Sequence, residues 1–159
     1  MGTAEKSRAE APAAEKSPPV PDPVTAFYWE AAARGELVVQ GFEGTDHLQF
    51  PPEPVAEGQQ GPLGPSRAVP VSGRGRLYAY TVLHQAFHPA YVGEGPLIIA
   101  LTELDDAPGV RILTNIVDAD PADLRADMPV EVTFERRGDW NIPQFRPVTG
   151  DGEPAGAGA

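Results

Sequence analysis

Leu77-Tyr78-Ala79-Tyr80-Thr81-Val82-Leu83-His84 alternates along its length, with Leu77, Ala79, Thr81 and Leu83 on one side and Tyr78, Tyr80, Val82 and His84 on the other. That period of two predicts a β-strand, and its mostly apolar and aromatic composition gives the strand two contact faces. Downstream, Leu97 to Leu104 is almost continuously apolar and predicts a second strand, and Val110 to Val117 a third. Val130, Val132 and Phe134 alternate with Glu131, Thr133 and Glu135 in a fourth, and Ile142 to Arg146 makes a fifth. Between the third and fourth, Asp120-Pro121-Ala122-Asp123-Leu124 sets an N-cap residue before a proline at the first helical position, which predicts one short helix. Five strands with a helix between the third and fourth is the order of an OB-fold barrel, so the fold class is mainly β.

Upstream of the barrel, Pro23 suits a first helical turn, and Val24, Phe27, Tyr28, Ala31 and Ala32 recur at helical spacing. Gly35 sits where a left-handed C-terminal cap belongs, which predicts an amphipathic helix from about Pro23 to Arg34. Phe27, Tyr28 and Trp29 are consecutive, so aromatic surface covers more than one face. That surface packs either on its own domain or on a partner subunit. A short strand, Leu37 to Gln40, leads into an irregular stretch, Gly41 to Ser66. It has two turns, Gly41 to Asp46 and Val55 to Gly61, around Leu48-Gln49-Phe50-Pro51-Pro52. Met1 to Pro21 and Thr149 to Ala159 hold too few large apolar side chains to offset their ordering entropy and read as mobile tails, the first equally as a linker. The resulting division is 1–21 tail or linker, 22–36 helix, 37–71 irregular region, 72–148 barrel and 149–159 tail.

The net charge of −11 sets the molecule against nucleic acid and anionic membranes. From Arg67 to Pro147 eight arginines face eleven acids, so the barrel is only mildly acidic and its cations are all arginine. Arginine suits bidentate recognition of phosphate or carboxylate, but it also serves exposed strand positions and ion pairs. The chain contains no cysteine, which excludes disulfides, thiolate metal sites and a cysteine nucleophile. No apolar run reaches the ~20 residues of a membrane span, and the first residues are charged rather than signal-like, so a cytoplasmic protein is expected.

Few residues carry the marks of catalysis. His84 and His88 are four apart but lie where a strand runs into a loop, and no third ligand is near in sequence. The loop from His84 to Tyr91 reads either as ordinary hydrogen bonding or as a ligand or interface surface. Ser72-Gly73-Arg74-Gly75 lies between strands with no helix after it, unlike a nucleophile elbow or a P-loop. It reads as a turn into the barrel, or as a place where phosphate approaches backbone amides. Asp105-Asp106 beside Pro108-Gly109 reads as a solvated hairpin connection.

Several strings together resemble one family. They are Phe27-Tyr28-Trp29-Glu30-Ala31-Ala32-Ala33-Arg34-Gly35-Glu36-Leu37, Phe50-Pro51-Pro52, Ser72-Gly73-Arg74-Gly75 and Tyr80 to Pro89, followed by Leu113 to Val117, Met128-Pro129-Val130 and Pro143 to Pro147. In this order they are similar to the acyl-CoA-associated family first catalogued as domain of unknown function 35. The resemblance covers roughly Pro23 to Pro147 and implies a helical N-terminus, a rubredoxin-like zinc ribbon and an OB barrel. Aligned on Phe50-Pro51-Pro52, the family's first Cys-x-x-Cys falls on Phe42 and Thr45 and its second on Ala56 and Gln59. The ribbon is therefore expected without its metal, and no cofactor is expected. Either Phe42 packing inward or a partner must hold the knuckle in place of zinc.

The resemblance further implies an accessory role in a hetero-oligomer with a thiolase-like acyl-CoA enzyme. The leading expectation is an aldolase that cleaves a steroid side-chain β-hydroxyacyl-CoA to a ketone and a shorter acyl-CoA, with the catalytic residues on the partner. This chain would stabilise that subunit and border the CoA channel, with acyl-CoA as a shared ligand. Candidate CoA or partner contacts are Arg74, Arg76, His84, His88, Tyr91, Trp140 and Arg146, and Phe27, Tyr28 and Trp29 form the partner-facing helix surface. Two alternatives stand beside this reading, a domain associated with a MaoC-type enoyl-CoA hydratase and a free-standing acyl-CoA-binding OB module. Nucleic-acid binding, common among OB folds, is disfavoured by charge and by the absence of lysine beyond Lys16.

Overall fold

The structure is a computed structural model that describes residues 14–56, 58 and 64–148. Among them one helix, α1 (Ala26–Ala33), precedes β1 (Val38–Phe42), β2 (Leu48–Gln49), β3 (Ser66–Pro70), β4 (Arg74–Leu83), β5 (Leu97–Leu104), β6 (Ala107–Ile116), β7 (Pro129–Arg137) and β8 (Trp140–Pro147). The first three strands form an antiparallel sheet in the order β2-β1-β3, and the last five close a barrel in the order β4-β5-β6-β8-β7. Closure rests on β4 pairing with β7 and on one parallel register pair, Ile116 of β6 with Phe145 of β8. The five-stranded OB barrel expected from the strand pattern is present. No described helix is long and apolar enough to cross a membrane.

α1 begins after a turn in which the Asp22 carboxylate accepts from the backbone N–H groups of Val24 and Thr25, at 3.0 and 2.8 Å. It ends in a Schellman arrangement: Gly35 takes φ +76°, Gly35 N–H donates to Ala32 O and Glu36 N–H to Ala31 O. Its aromatic surface is used largely within the chain. Tyr28 is buried with its ring 5.3 Å from Phe50, and Trp29 meets Trp140 edge-on at 6.3 Å. Burial of the Tyr28 phenol raises its pKa. Phe27 and Trp29 are partly buried against the same core. The helix thus bridges the small sheet and the barrel instead of presenting Tyr28 outward.

The alternation expected in the first barrel strand breaks at a bulge. Leu77 pairs with Thr102 and Ala79 with Leu101, so Tyr78 is an extra residue. Leu77 is fully buried while Ala79 and Thr81 are exposed, which separates residues that strict alternation placed on one side. The bend lets one strand serve two partners, β7 through residues 74–76 and β5 along the rest. Pro108-Gly109, expected in a connection, lies within β6 after a two-residue turn at Asp105-Asp106. The short helix expected near Pro121 is a single 3-10 turn (Pro121–Asp123), where the Asp120 carboxylate accepts from Ala122 N–H at 2.8 Å. Leu77, Leu104, Ile112, Val130 and Phe145 form the barrel core.

Of the positions aligned with zinc ligands, Phe42 is buried with its ring 6.0 Å from His47, Thr45 donates to Phe42 O at 3.2 Å, Ala56 is buried, and Gln59 lies outside the described residues. What joins the segments is an amide. Gln40, 1% exposed, accepts at Oε1 from Gln49 Nε2 (2.7 Å) and Glu53 N–H (2.8 Å), and donates from Nε2 to Glu53 O (2.9 Å) and Ser66 Oγ (3.0 Å). Those four bonds fill its capacity and connect β1, β2, the turn after Pro52 and β3. Gln49 Nε2 also donates to Val55 O at 3.0 Å, and Gln49 Oε1 lies 3.2 Å from His47 Nε2. Gln40→Leu leaves several buried polar groups unpaired at once and should cost about 3 kcal/mol in thermal denaturation, by the same amount with and without a metal chelator.

Candidate functional site

The structure places the candidate contact residues in three separate regions. At one end of the barrel Glu131 of β7 lies opposite Arg74 of β4 on one side and Arg146 of β8 on the other. Arg146 Nε and Nη2 approach Glu131 Oε1 at 3.1 and 3.0 Å, and Arg76 Nη1 donates to Asp127 O at 3.1 Å. Two of the three arginines therefore hold exposed structural pairs, each worth less than about 1 kcal/mol. Nearby, Arg111 lies 3.6 Å over the Tyr78 ring and pairs with Glu103 at 2.7 Å. Both arginines line a cavity of about 430 Å³ together with Glu103, Asp105 and Asp127. Carboxylates outnumber guanidinium groups there, which disfavours a phosphate ligand.

The glycines of Ser72-Gly73-Arg74-Gly75 answer to packing. Gly73 takes φ +74° with a Val132 methyl where its side chain would begin, and Gly75 faces the Glu103 carbonyl oxygen and the Thr102 methyl. Ser72 N–H donates to Asp106 Oδ2 at 2.6 Å, so Asp106 fastens the corner as well as forming the turn. The segment is a barrel corner with two close backbone approaches. Gly75→Ala should destabilise the fold by about 2 kcal/mol in denaturant titration, since the obstructing atom belongs to backbone and cannot swing aside.

The second region is the β4–β5 connection. His84 is exposed at the strand end, and His88 Nδ1 accepts from Ala90 N–H at 3.1 Å. The His88 ring lies 6.2 Å from Tyr91. Among the described residues no group of three or more His, Cys, Asp and Glu side chains is placed to hold a metal. Phe87 and Val92 are 77% and 72% exposed, an unusual outlay of apolar surface on one connection. The third region is Trp140, half-buried against Trp29 of α1 and distant along β8 from Arg146.

Sequence reasoning missed Lys16. Residues 14–21, expected as part of a mobile tail, run against the barrel, where Lys16 Nζ reaches Glu94 at 2.9 Å and Glu135 at 3.2 Å and lies 5.0 Å from the Tyr91 ring centre. Tyr91, Glu94 and Glu135 share a groove of about 340 Å³ with Leu97, Ile98, Asn115, Val117 and Gln144. The signal was a lysine just ahead of a folded region whose cations are all arginine. Burial works against the Lys16 charge, but hydrogen bonds to Glu94 and Glu135 outweigh it and hold its pKa above 10.5. Burial likewise raises the Glu135 carboxyl, while donors from Lys16 and Arg137 outweigh it and hold its pKa below 4.5. The depressed Glu135 pKa contributes stability that is complete above 4.5 and lost as pH falls through the folded value. The raised Lys16 pKa contributes stability that is complete below 10.5 and lost as pH rises through the folded value. A pH titration of Lys16 and Glu135 by NMR should therefore show the contact intact between pH 4.5 and 10.5, with its loss only as pH falls through the lowered Glu135 value or rises through the raised Lys16 value.

Fold and surface together define a three-stranded ribbon joined by a helix to an OB barrel. The model of the ChsH2 C-terminal OB-fold domain matches residues 68–135. A probable enoyl-CoA hydratase alpha subunit of Thermomonospora curvata is 34% identical over 130 residues, covering 77% of this chain and 37% of that protein. The 3-oxo-4,17-pregnadiene-20-carboxyl-CoA hydratase alpha subunit of Mycobacterium tuberculosis is 34% identical over 123 residues, with coverages of 77% and 37%. A DUF35 domain-containing scaffold protein of Methanocaldococcus jannaschii is 38% identical over 68 residues, 43% of this chain and 46% of that protein. A solved chain described as Ltp2-ChsH2(DUF35) aldolase superposes with a TM-score of 0.70 at 32% identity, covering 82% of this chain and 98% of that one. The chain belongs to the DUF35-type acyl-CoA-associated family. It spans about 37% of the length of the two hydratase subunits it matches.

Proposed function

We propose that this chain is a non-catalytic accessory subunit of a thiolase-like acyl-CoA enzyme, an aldolase that cleaves a steroid side-chain β-hydroxyacyl-CoA. The observation that carries this reading is the match to the Ltp2-ChsH2(DUF35) aldolase chain, nearly all of which is covered. In this reading the partner supplies the catalytic groups, and this chain stabilises it and borders the CoA channel. Phe87 and Val92 offer apolar surface suited to such a contact. The Gln40 hub supports a ribbon that works without zinc. The net charge of −11 supports a protein partner over nucleic acid.

The hydratase alpha subunits favour a second reading, in which the same module serves a MaoC-type enoyl-CoA hydratase. Co-expression separates the two. A thiolase-like aldolase made with this chain should elute with it as one complex and show activity at least about tenfold above the aldolase made alone, as expected when a partner stabilises a subunit by mass action. Co-elution with a hydratase and not with the aldolase would transfer the chain to the second reading, and association with neither would overturn both.

A further inference from the structure

We propose that residues 14–21 form a built-in latch: Lys16 occupies a cation site made by Tyr91, Glu94 and Glu135, and in doing so walls one side of the groove there and clamps the β4–β5 connection to the barrel. The inference is independent of which enzyme the chain accompanies.

Three features of the site fit a lysine. Glu94 and Glu135 approach Nζ at 2.9 and 3.2 Å, and the Tyr91 ring supplies a third, aromatic contact at 5.0 Å. A compact ammonium can meet all three, whereas a planar guanidinium favours a paired, in-plane geometry. Arg137 occupies part of Glu135 at 2.9 Å, as does Gln144 Nε2 at 2.7 Å, so one carboxylate is oriented before the lysine arrives. The contact is also long-range in sequence, joining residue 16 to residue 135, and a second tie adds to it: Arg137 Nη1 donates to Ser17 O at 3.3 Å.

The segment is suited to a strap. Pro18, Pro19 and Pro21 restrict it to extended conformations, which lowers the entropy lost when it is laid down. It then leads directly into the Asp22 turn and α1, so its far end is anchored to the helix that joins ribbon and barrel. Between these anchors the Lys16 side chain forms one wall of a groove that also has Leu97, Ile98 and Val117 among its walls.

Glu94 belongs to the connection that carries Phe87 and Val92, whereas Glu135 belongs to β7. Lys16 is therefore the link between a mobile type of element and the rigid wall, since loops open more readily than paired strands. With the latch closed, the connection is held in one position and Lys16 completes one wall of the groove. With it open, the connection is released, and the vacated site is an acidic, aromatic pocket suited to a lysine on another extended segment.

Acylation of the full-length chain with an N-hydroxysuccinimide acetate reagent, followed by mass spectrometry, tests whether the latch closes in solution. Lys16 should react at least about tenfold more slowly in the native chain than in urea, and Glu94→Ala should restore most of the difference, because the amine must be both uncharged and accessible to react. Hydrogen exchange tests the clamp: Lys16→Ala should speed exchange of the Tyr91, Val92 and Glu94 amides several-fold while leaving the β5 and β6 amides unchanged. Equal Lys16 reactivity in native and unfolded chains would overturn the latch. Unchanged exchange at Tyr91, Val92 and Glu94 in Lys16→Ala would overturn the clamp, even with Lys16 protected.

Discussion

A single buried amide carries the small sheet. Gln40 is withdrawn from water, and a carboxamide in that position is tolerable only if each donor and acceptor is matched. Its four partners come from β2, the turn after Pro52 and β3, so satisfying the amide fixes where those segments lie. The ribbon in turn supplies Phe50 to Tyr28, and α1 carries that contact across to Trp140 on the barrel. Loss of the amide would thus propagate outward through the ribbon to the helix that joins it to the barrel. A structural zinc makes the same kind of connection with four thiolates; here neutral hydrogen bonds do it, aided by the buried Phe42 ring.

The barrel was legible because its strands largely obey simple periodicity and two of its four connections are two-residue turns. Leu97–Leu104 was read to the residue, and the alternation of Val130, Val132 and Phe134 located β7. The errors fall where local pattern yields to closure. A bulge at Tyr78 has no signature in an alternating string, because the strand reads the same until its partners are known. The small strands β2 and β3 were hidden among Gly, Pro and Gln, since their pairing is set by the Gln40 network rather than by their own propensity.

The surface was harder to read, and the reason is electrostatic. Arg76 and Arg146 are suitable in type for phosphate, yet their nearest neighbours are acids on adjoining strands and turns, brought there by register. No count of charges along the chain reveals that. Lys16 was overlooked for the opposite reason: its segment has a composition that cannot fold alone, but an extended strap need not have a core of its own when a barrel offers it carboxylates and a ring.

The parallel seam between β6 and β8 gives the barrel an unequal circumference. Three of its junctions are long antiparallel ladders, whereas this one has the single register pair Ile116 with Phe145, supplemented by Val117 N–H to Phe145 O at 2.8 Å. Mechanically the domain is a curled sheet fastened along one margin more than a uniform tube. The groove that Lys16 lines draws walls from both sides of that margin, Asn115 and Ile116 on one and Gln144 on the other. Widening it would bend the sheet open along its weakest line and leave every hairpin intact, so the molecule has a preferred direction in which to yield.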